Sequence, residues 1–220
     1  VTRVSQYQTW VHQRSSAGQS LVLPDGCRDV IVFHGGPDQC RVILTELDFT
    51  PRQVWHGSDV SMTGYRLRPG TTVPETALRA IKECSADAAQ ILEVEQSDGG
   101  SIDAVIAALS DTAETICSVV KNSGVSARTL QRQFRKLGLP APEYWRLLGR
   151  ARRSAQFLAQ TPCLSQIAAD CGYSDQAHMT REFKRWFGKA LAQLRQDQDA
   201  MDALGQPALG NWTGEQISIR

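Results

Sequence analysis

A pattern that occurs twice in the second half of this chain constrains it more than any other feature. The first copy, Ile116 to Gly138, reads ICSVVKNSGVSARTLQRQFRKLG; the second, Ile167 to Gly188, reads IAADCGYSDQAHMTREFKRWFG. Each holds a short apolar helix, a glycine turn, a polar residue suited to capping, and a second helix rich in arginine, lysine and glutamine. A glycine in the left-handed region ends one helix, and a serine or aspartate whose side chain accepts a backbone N–H starts the next. That is the grammar of a helix-turn-helix. One basic amphipathic helix could be an ordinary solvated face, but two copies with turn, cap and basic face in the same order are a stronger signal.

The periodicity places the parts. Thr112 to Lys121 is expected to be helical and to end at Asn122-Ser123-Gly124. Ser126 then caps a helix whose stripe is Ala127, Leu130, Phe134 and Leu137, which leaves Arg128, Gln131, Arg132 and Arg135 on the opposite face. Pro140-Ala141-Pro142 breaks the chain. A long helix from Glu143 to Gln160 follows, carrying Arg146, Arg150, Arg152 and Arg153, and it reads as a rigid connector. In the second copy Ile167, Ala168 and Cys171 form the first stripe and Gly172 makes the turn. Asp175 caps a helix burying Met179, Phe183 and either Trp186 or Phe187, and exposing Gln176, His178, Arg181 and Arg185.

Charge follows the repeat. The net charge of the whole chain is only +1, but residues 1–110 carry 9 Lys+Arg against 13 Asp+Glu, a balance of −4, whereas residues 121–195 carry 14 against 4, a balance of +10. Local sign governs steering toward phosphates, so the repeated segment bears the electrostatic footprint of a nucleic-acid binder. A helix laid in the major groove must offer a few side chains to base edges, and the residue types here are suited to it. Arginine can hold guanine with two parallel hydrogen bonds, and glutamine can hold adenine.

The first 110 residues read differently. Strands are expected at Ser20–Leu23, Asp29–His34, Cys40–Leu47, Gln53–Trp55 and Met62–Leu67, separated by turn signals at Pro24-Asp25-Gly26, Gly35-Gly36-Pro37-Asp38, His56-Gly57 and Pro69-Gly70. Pro74 to Val94 turns helical, Ser97-Asp98-Gly99-Gly100 is the most linker-like stretch, and Ser101–Leu109 resumes as a helix. The expected fold is α+β: an N-terminal antiparallel half-barrel or sandwich with packed helices over residues 1–110, an all-α double helix-turn-helix domain over 111–198, and a C-terminal tail over 199–220. The longest apolar runs are too short to cross a bilayer and no basic-then-apolar leader opens the chain, so a cytoplasmic protein without a membrane partner is expected.

The residues of the repeat carry a resemblance. Ile116 to Arg195 resembles the DNA-binding region of the AraC/XylS family of bacterial transcription regulators. The distinctive part is IAADCGYSDQAHMTREFKRWFG, with Ile-Ala, Gly-Tyr, a packing Met, Arg-x-Phe-Lys and a closing Gly. The resemblance implies a sequence-specific regulator whose two helix-turn-helix units, held by the connector, read two adjacent major-groove segments of double-stranded DNA. By position it assigns base-facing roles to Arg128, Gln131 and Arg132 of the first copy, with Arg135 beside them, and to Gln176, His178, Thr180 and Arg181 of the second. Arg150, Arg153, Lys184 and Arg185 are the expected phosphate contacts. Ser154 stands where the family usually has Ala, Leu191 where a Pro normally follows the closing Gly, and Ala177 where Ser or Gln is common.

In that family the DNA-binding region is usually joined to a sensing or dimerisation domain, which implies a small-molecule effector or a homodimer. SLVLPDGCRDVIVFHGG followed by TGYRLRPGT resembles the N-terminal domain of one AraC-like subgroup. Trp10, Trp55, His34, His56, Tyr65 and Arg66 are candidate lining, each equally readable as core or surface. Of six cysteines none forms a CxxC pair or a metal-ligand spacing, so neither metal nor cofactor is expected. Cys27, in a turn beside Arg28, is a candidate redox- or alkylation-sensing thiol. The competing class is a cysteine-based alkyl acceptor targeted by the repeat, but no catalytic motif accompanies it and a non-enzyme is expected.

Overall fold

The structure, a computed structural model, describes residues 7–34, 40–94, 100–111, 115–158, 160 and 163–212. Outside these lie the expected turn at Gly35–Asp38, the linker at Ser97–Gly99, the start of the helix expected from Thr112, and the end of the tail. The N-terminal part has strands β1 (Tyr7–Arg14), β2 (Gly18–Val22), β3 (Asp29–His34), β4 (Cys40–Leu44), β5 (Arg52–His56) and β6 (Val60–Leu67), then helices α1 (Glu75–Glu83) and α2 (Ala88–Val94) joined by one turn of 3₁₀ helix. Four strands form an antiparallel sheet in the order β1-β6-β3-β4, and β2 and β5 form a separate antiparallel ribbon. Strand β1 was not expected, because its YQTWVHQR is half polar. Its odd residues face one side of the sheet and its even residues the other.

The two faces of the sheet are finished differently. On one, Tyr7, Val30, Val32, Val42, Tyr65 and Leu67 close against Ile81, Ala88 and Leu92 of α1 and α2 to make a dry core. On the other, Trp10 lies across Gly64, and a Cβ built there would meet the indole at 1.9 Å. Of its neighbours on that face, His12, Ile31 and Phe33 are only half-buried, while Met62, between His12 and Phe33, is buried. The ribbon confronts this open face, and the rings of His12 and His56 meet with centroids 4.7 Å apart.

The helical part comprises α3 (Gly100–Ser110), α4 (Ile116–Asn122), α5 (Ala127–Lys136), α6 (Pro142–Gln156), α7 (Leu164–Asp170), α8 (Gln176–Phe187), α9 (Leu191–Gln196) and α10 (Gln198–Gly205). Helix α6 is its spine, touching α3, α4, α5, α8 and α10. One continuous core joins these helices, from Ile106 and Leu109 of α3 through Trp145 and Leu148 of α6 to Phe183 and Trp186 of α8, and it takes in Leu23 from the half-barrel. The expected break at residue 110 falls at the C-terminal end of α3, which packs on α6. Residues 199–209, expected to belong to a tail, are helical and then buried at Pro207, Ala208 and Leu209.

A buried polar cluster joins the two parts. Arg66 on β6 pairs with Asp25 at 3.2 Å and Asp29 at 3.3 Å, and donates to the Pro207 carbonyl. The Trp10 indole N–H donates to Asp29 at 2.7 Å. Arg152 of α6, only 1% exposed, donates to the carbonyls of Pro24, Leu204 and Gln206. Burial alone pulls Arg66 down, and the carboxylates of Asp29 and Asp25 more than reverse it. Burial also lowers Arg152, with Asp25 opposing, and raises Asp25, with Arg66 opposing. Removing one partner from such a pair leaves an uncompensated buried charge, at a cost of about 3–5 kcal/mol. Asp29→Ala is therefore expected to lower the urea midpoint substantially, whereas Glu75→Ala, which breaks an exposed pair with Arg79, leaves it nearly unchanged.

Candidate nucleic-acid interface

Both copies of the repeat fold as paired helices whose turns carry a left-handed glycine, Gly124 at φ +67° between α4 and α5 and Gly172 between α7 and α8, with the glycine N–H bonding back to Lys121 or Ala169; the closing Gly138 of the first copy caps α5 in the way that Gly172 caps α7. Helix α5 ends with Gly138 at φ +65°, Leu139 N–H bonding back to Phe134 and Gly138 N–H to Arg135. Helix α7 ends with Gly172 at φ +71°, Tyr173 N–H bonding to Ala168 and Gly172 N–H to Ala169. These are Schellman caps, and each sends its next residue, Leu139 or Tyr173, into the core. The stripe of α5 differs from expectation at both ends, since Ala127 is exposed. Leu130 and Phe134 are buried, but Leu137 is 40% exposed and Leu139 takes its place.

The second helix of each unit starts on the expected cap. Ser126 Oγ accepts from Thr129 N–H at 3.1 Å, and Asp175 Oδ1 accepts from His178 N–H at 2.6 Å. Counting from the caps aligns the helices: Leu130 with Met179, Phe134 with Phe183, Gln131 with Thr180, Arg132 with Arg181, and Arg135 with Lys184. Arg128 aligns with Ala177, so the second helix lacks a long side chain there. Trp186 and Phe187 are both buried.

Side-chain contacts divide the basic residues into two classes. Arg128, Gln131, Arg132 and Arg135 on α5, and Gln176, Arg181 and Lys184 on α8, are exposed. Their side chains have no hydrogen-bond or ion-pair partner among the described residues. Arg185 is exposed too, beside Glu182 at 3.9 Å and over the Trp186 ring. His178 is half-buried and less free, its Nδ1 bonded to Ser174 Oγ at 3.0 Å and its ring edge-on to Tyr173. The Thr180 hydroxyl donates to the Gln176 carbonyl.

The connector arginines belong to the other class, engaged within the fold. Arg150 is 9% exposed, stacked over the Tyr173 ring and donating to the Gly172 carbonyl, so it clamps the turn of the second unit. Arg153 pairs with Asp111, and burial lowers its pKa against the pull of that carboxylate. Ser154 is fully buried and donates to the Arg150 carbonyl. Leu191 is buried at the start of α9.

In the half-barrel, Trp10 and His56 face the open side of the sheet, as does His12, which no sequence motif singles out. Tyr65 instead meets Tyr7 in the dry core, Arg66 is in the buried cluster, Trp55 is 70% exposed, and His34 bonds to Thr63 at the surface. The expectation for Cys27 is corrected. It is 4% exposed, and burial together with Asp25 pushes its thiol well above the ordinary value despite Arg66. The neighbour expected to stabilise a thiolate, Arg28, turns toward Glu46 instead. A buried thiol beside two carboxylates is poorly placed either to sense an oxidant or to accept an alkyl group.

Among the described residues no helix is long and apolar enough to cross a membrane, and no group of three or more His, Cys, Asp or Glu is placed to hold a metal. Residues 119–197 match the family described as a helix-turn-helix domain. The chain is similar to the HTH-type transcriptional activator RhaS of Escherichia fergusonii, 27% identical over 196 residues, covering 85% of this chain and 66% of that protein. It is 44% identical over 71 residues to the HTH-type transcriptional regulator VirS of Mycobacterium tuberculosis, 31% of this chain and 20% of that one. The chain thus spans less than two thirds of the length of these relatives. The solved structure of ToxT from Vibrio cholerae aligns over 87% of this chain and 98% of its own with a TM-score of 0.47 at 9% identity.

The histidine pair provides a stability test. His12 is lowered by burial, then by His56 and Arg14, and His56 is lowered by burial and Arg14. As pH falls below the ordinary histidine value of 6.5, the unfolded chain takes up protons that the folded one resists, so stability falls with pH. The thermal midpoint is expected to drop between about pH 7.5 and about pH 5.5, less steeply in His12→Gln.

Proposed function

We propose that the helical domain of this chain, which matches the helix-turn-helix family over residues 119–197, is that of a DNA-binding transcription regulator of the AraC/XylS type, and that it reads two consecutive major-groove segments with α5 and α8. We further propose that the N-terminal half-barrel senses a small molecule and adjusts that reading, and that the protein works in the cytoplasm. The observation that carries the DNA reading is the shared position of Arg132 and Arg181. Each is six residues past its cap, exposed and without a partner among the described residues, while the neighbouring arginines of α6 are occupied within the fold. Arg128, Gln131, Gln176 and, in a lesser role, His178 and Thr180 complete the base-facing set. Arg135, Lys184 and Arg185 lie further along the same helices and suit phosphates. Arg150 and Arg153 act indirectly, by holding the second turn and the end of α3.

A good bidentate base contact supplies about 1–3 kcal/mol of discrimination. Arg132→Ala and Arg181→Ala are thus expected to reduce the preference for a selected site over scrambled DNA by about one order of magnitude or more, measured by fluorescence anisotropy. Lys184→Ala is expected to weaken both DNAs alike and to lower the salt slope by about 0.9. Arg153→Ala is expected to lower stability while leaving discrimination intact. Unchanged discrimination in both of the first two variants would sink the assignment.

A further inference from the structure

We propose that the open side of the half-barrel binds a small organic anion, with its charged group on His12, His56 and Arg14 and its apolar part against Trp10. This rests on the reading of the N-terminal half as a small-molecule sensor and names the chemical class it would take.

The polar end of the site is built from three strands. His12 of β1 and His56 of β5 bring their rings to 4.7 Å across the gap between sheet and ribbon. His56 Nε2 bonds to Ser20 Oγ of β2 at 2.7 Å. His12 Nε2 is buried with no partner. Arg14 lies on the same face of β1 as His12, and its Nη1 comes within 3.2 Å of a Cβ built on Gly18, the residue paired with His56 in the ribbon. Arg14 has no ion pair among the described residues.

The charge in this corner has one sign. Among the described residues the charged groups that act on His12 are His56 and Arg14, the one that acts on His56 is Arg14, and no carboxylate acts on either. From β3 the same face presents Asp29, already committed to Arg66 and Trp10, and β4 presents Arg41, placed over Phe33. An unpartnered buried imidazole nitrogen beside a guanidinium lacks an acceptor, and an anion supplies one that strengthens as the imidazole takes up a proton. A metal ion would meet Arg14 and only two ligands, since no third His, Cys, Asp or Glu joins them among the described residues.

The rest of the site is apolar. Trp10, Ile31 and Val54 are half-buried on the two confronting faces, in contrast to the sealed core behind the sheet, where Val30 is 0% and Val32 1% exposed. Polar groups gathered at one end of an apolar surface are the usual form of a small-ligand site. A ligand against Trp10 would also press on the indole that holds Asp29, and through Arg66 on the segment following α10.

The test is an NMR titration of the four imidazoles with benzoate and octanoate, using benzyl alcohol and octanol as uncharged counterparts. At least one anion is expected to raise the apparent pKa of His12 and His56 while leaving His34 and His178 unmoved, and Arg14→Gln is expected to weaken that binding at least about tenfold. The proposal is overturned if neither anion moves the pair, if the alcohols act equally, or if Arg14→Gln and His12→Gln both bind as the parent does. Anisotropy with labelled DNA in the same samples separates the two layers. Imidazole shifts without a change in DNA affinity uphold the anion site and remove the sensing role, whereas a DNA response to some other small molecule, with silent imidazoles, does the reverse.

Discussion

A fully buried guanidinium has to find acceptors inside the protein, and Arg152 finds them at three carbonyls that no local structure would bring together. Pro24 comes from the turn before β3, and Leu204 and Gln206 from the end of α10. Because Arg152 sits on α6, satisfying it fastens the spine of the DNA-binding domain to the half-barrel and draws the C-terminal segment between them. Arg66, Asp25 and Asp29 complete the cluster with two carboxylates for two guanidinium groups, so burial does not leave net charge inside. The geometry of both reading helices depends on this fastening, since α5 and α8 both pack on α6.

Much of this was legible in the sequence, where local chemistry decides the structure. Ser126 and Asp175 cap the helices they were expected to cap, the turn glycines adopt left-handed backbones, and Asp29–His34 is a strand over its expected range. Facing was less legible. An arginine-rich helix reads as a solvated one, yet α6 is enclosed on several sides, and its arginines at 150, 152 and 153 turn inward or along neighbouring elements. Leu137 was expected inside because periodicity runs on, but the Schellman cap breaks the period and installs Leu139. Cys27 was expected to be activated by its sequence neighbour Arg28, whereas the groups that surround it in space are Asp25 and Asp29. Helix α10 gave little signal, because its burial depends on tertiary partners, α6 and the distant strand β2, as well as on its neighbour α9.

The doubled unit is asymmetric in a way its caps reveal. Arg128 projects from the first reading helix where the second has Ala177, and the second instead engages His178 with its own turn through Ser174. Among the described residues the first helix therefore exposes more unengaged hydrogen-bonding side chains than the second, where Gln176 and Arg181 are the exposed pair, and under the proposed DNA reading the first would make more of the base contacts. The half-barrel is asymmetric as well: one face of its sheet is sealed by α1 and α2, and the other is left open around His12 and Trp10.

Footprinting on a site selected from random DNA tests the central claim most directly. With both reading helices held on one connector, guanine-N7 and hydroxyl-radical protection is expected in two major-groove segments centred about 10–10.5 base pairs apart on one face of the duplex. The segment under α5 should be the more fully protected. A single protected segment, or two on opposite faces, would contradict the account.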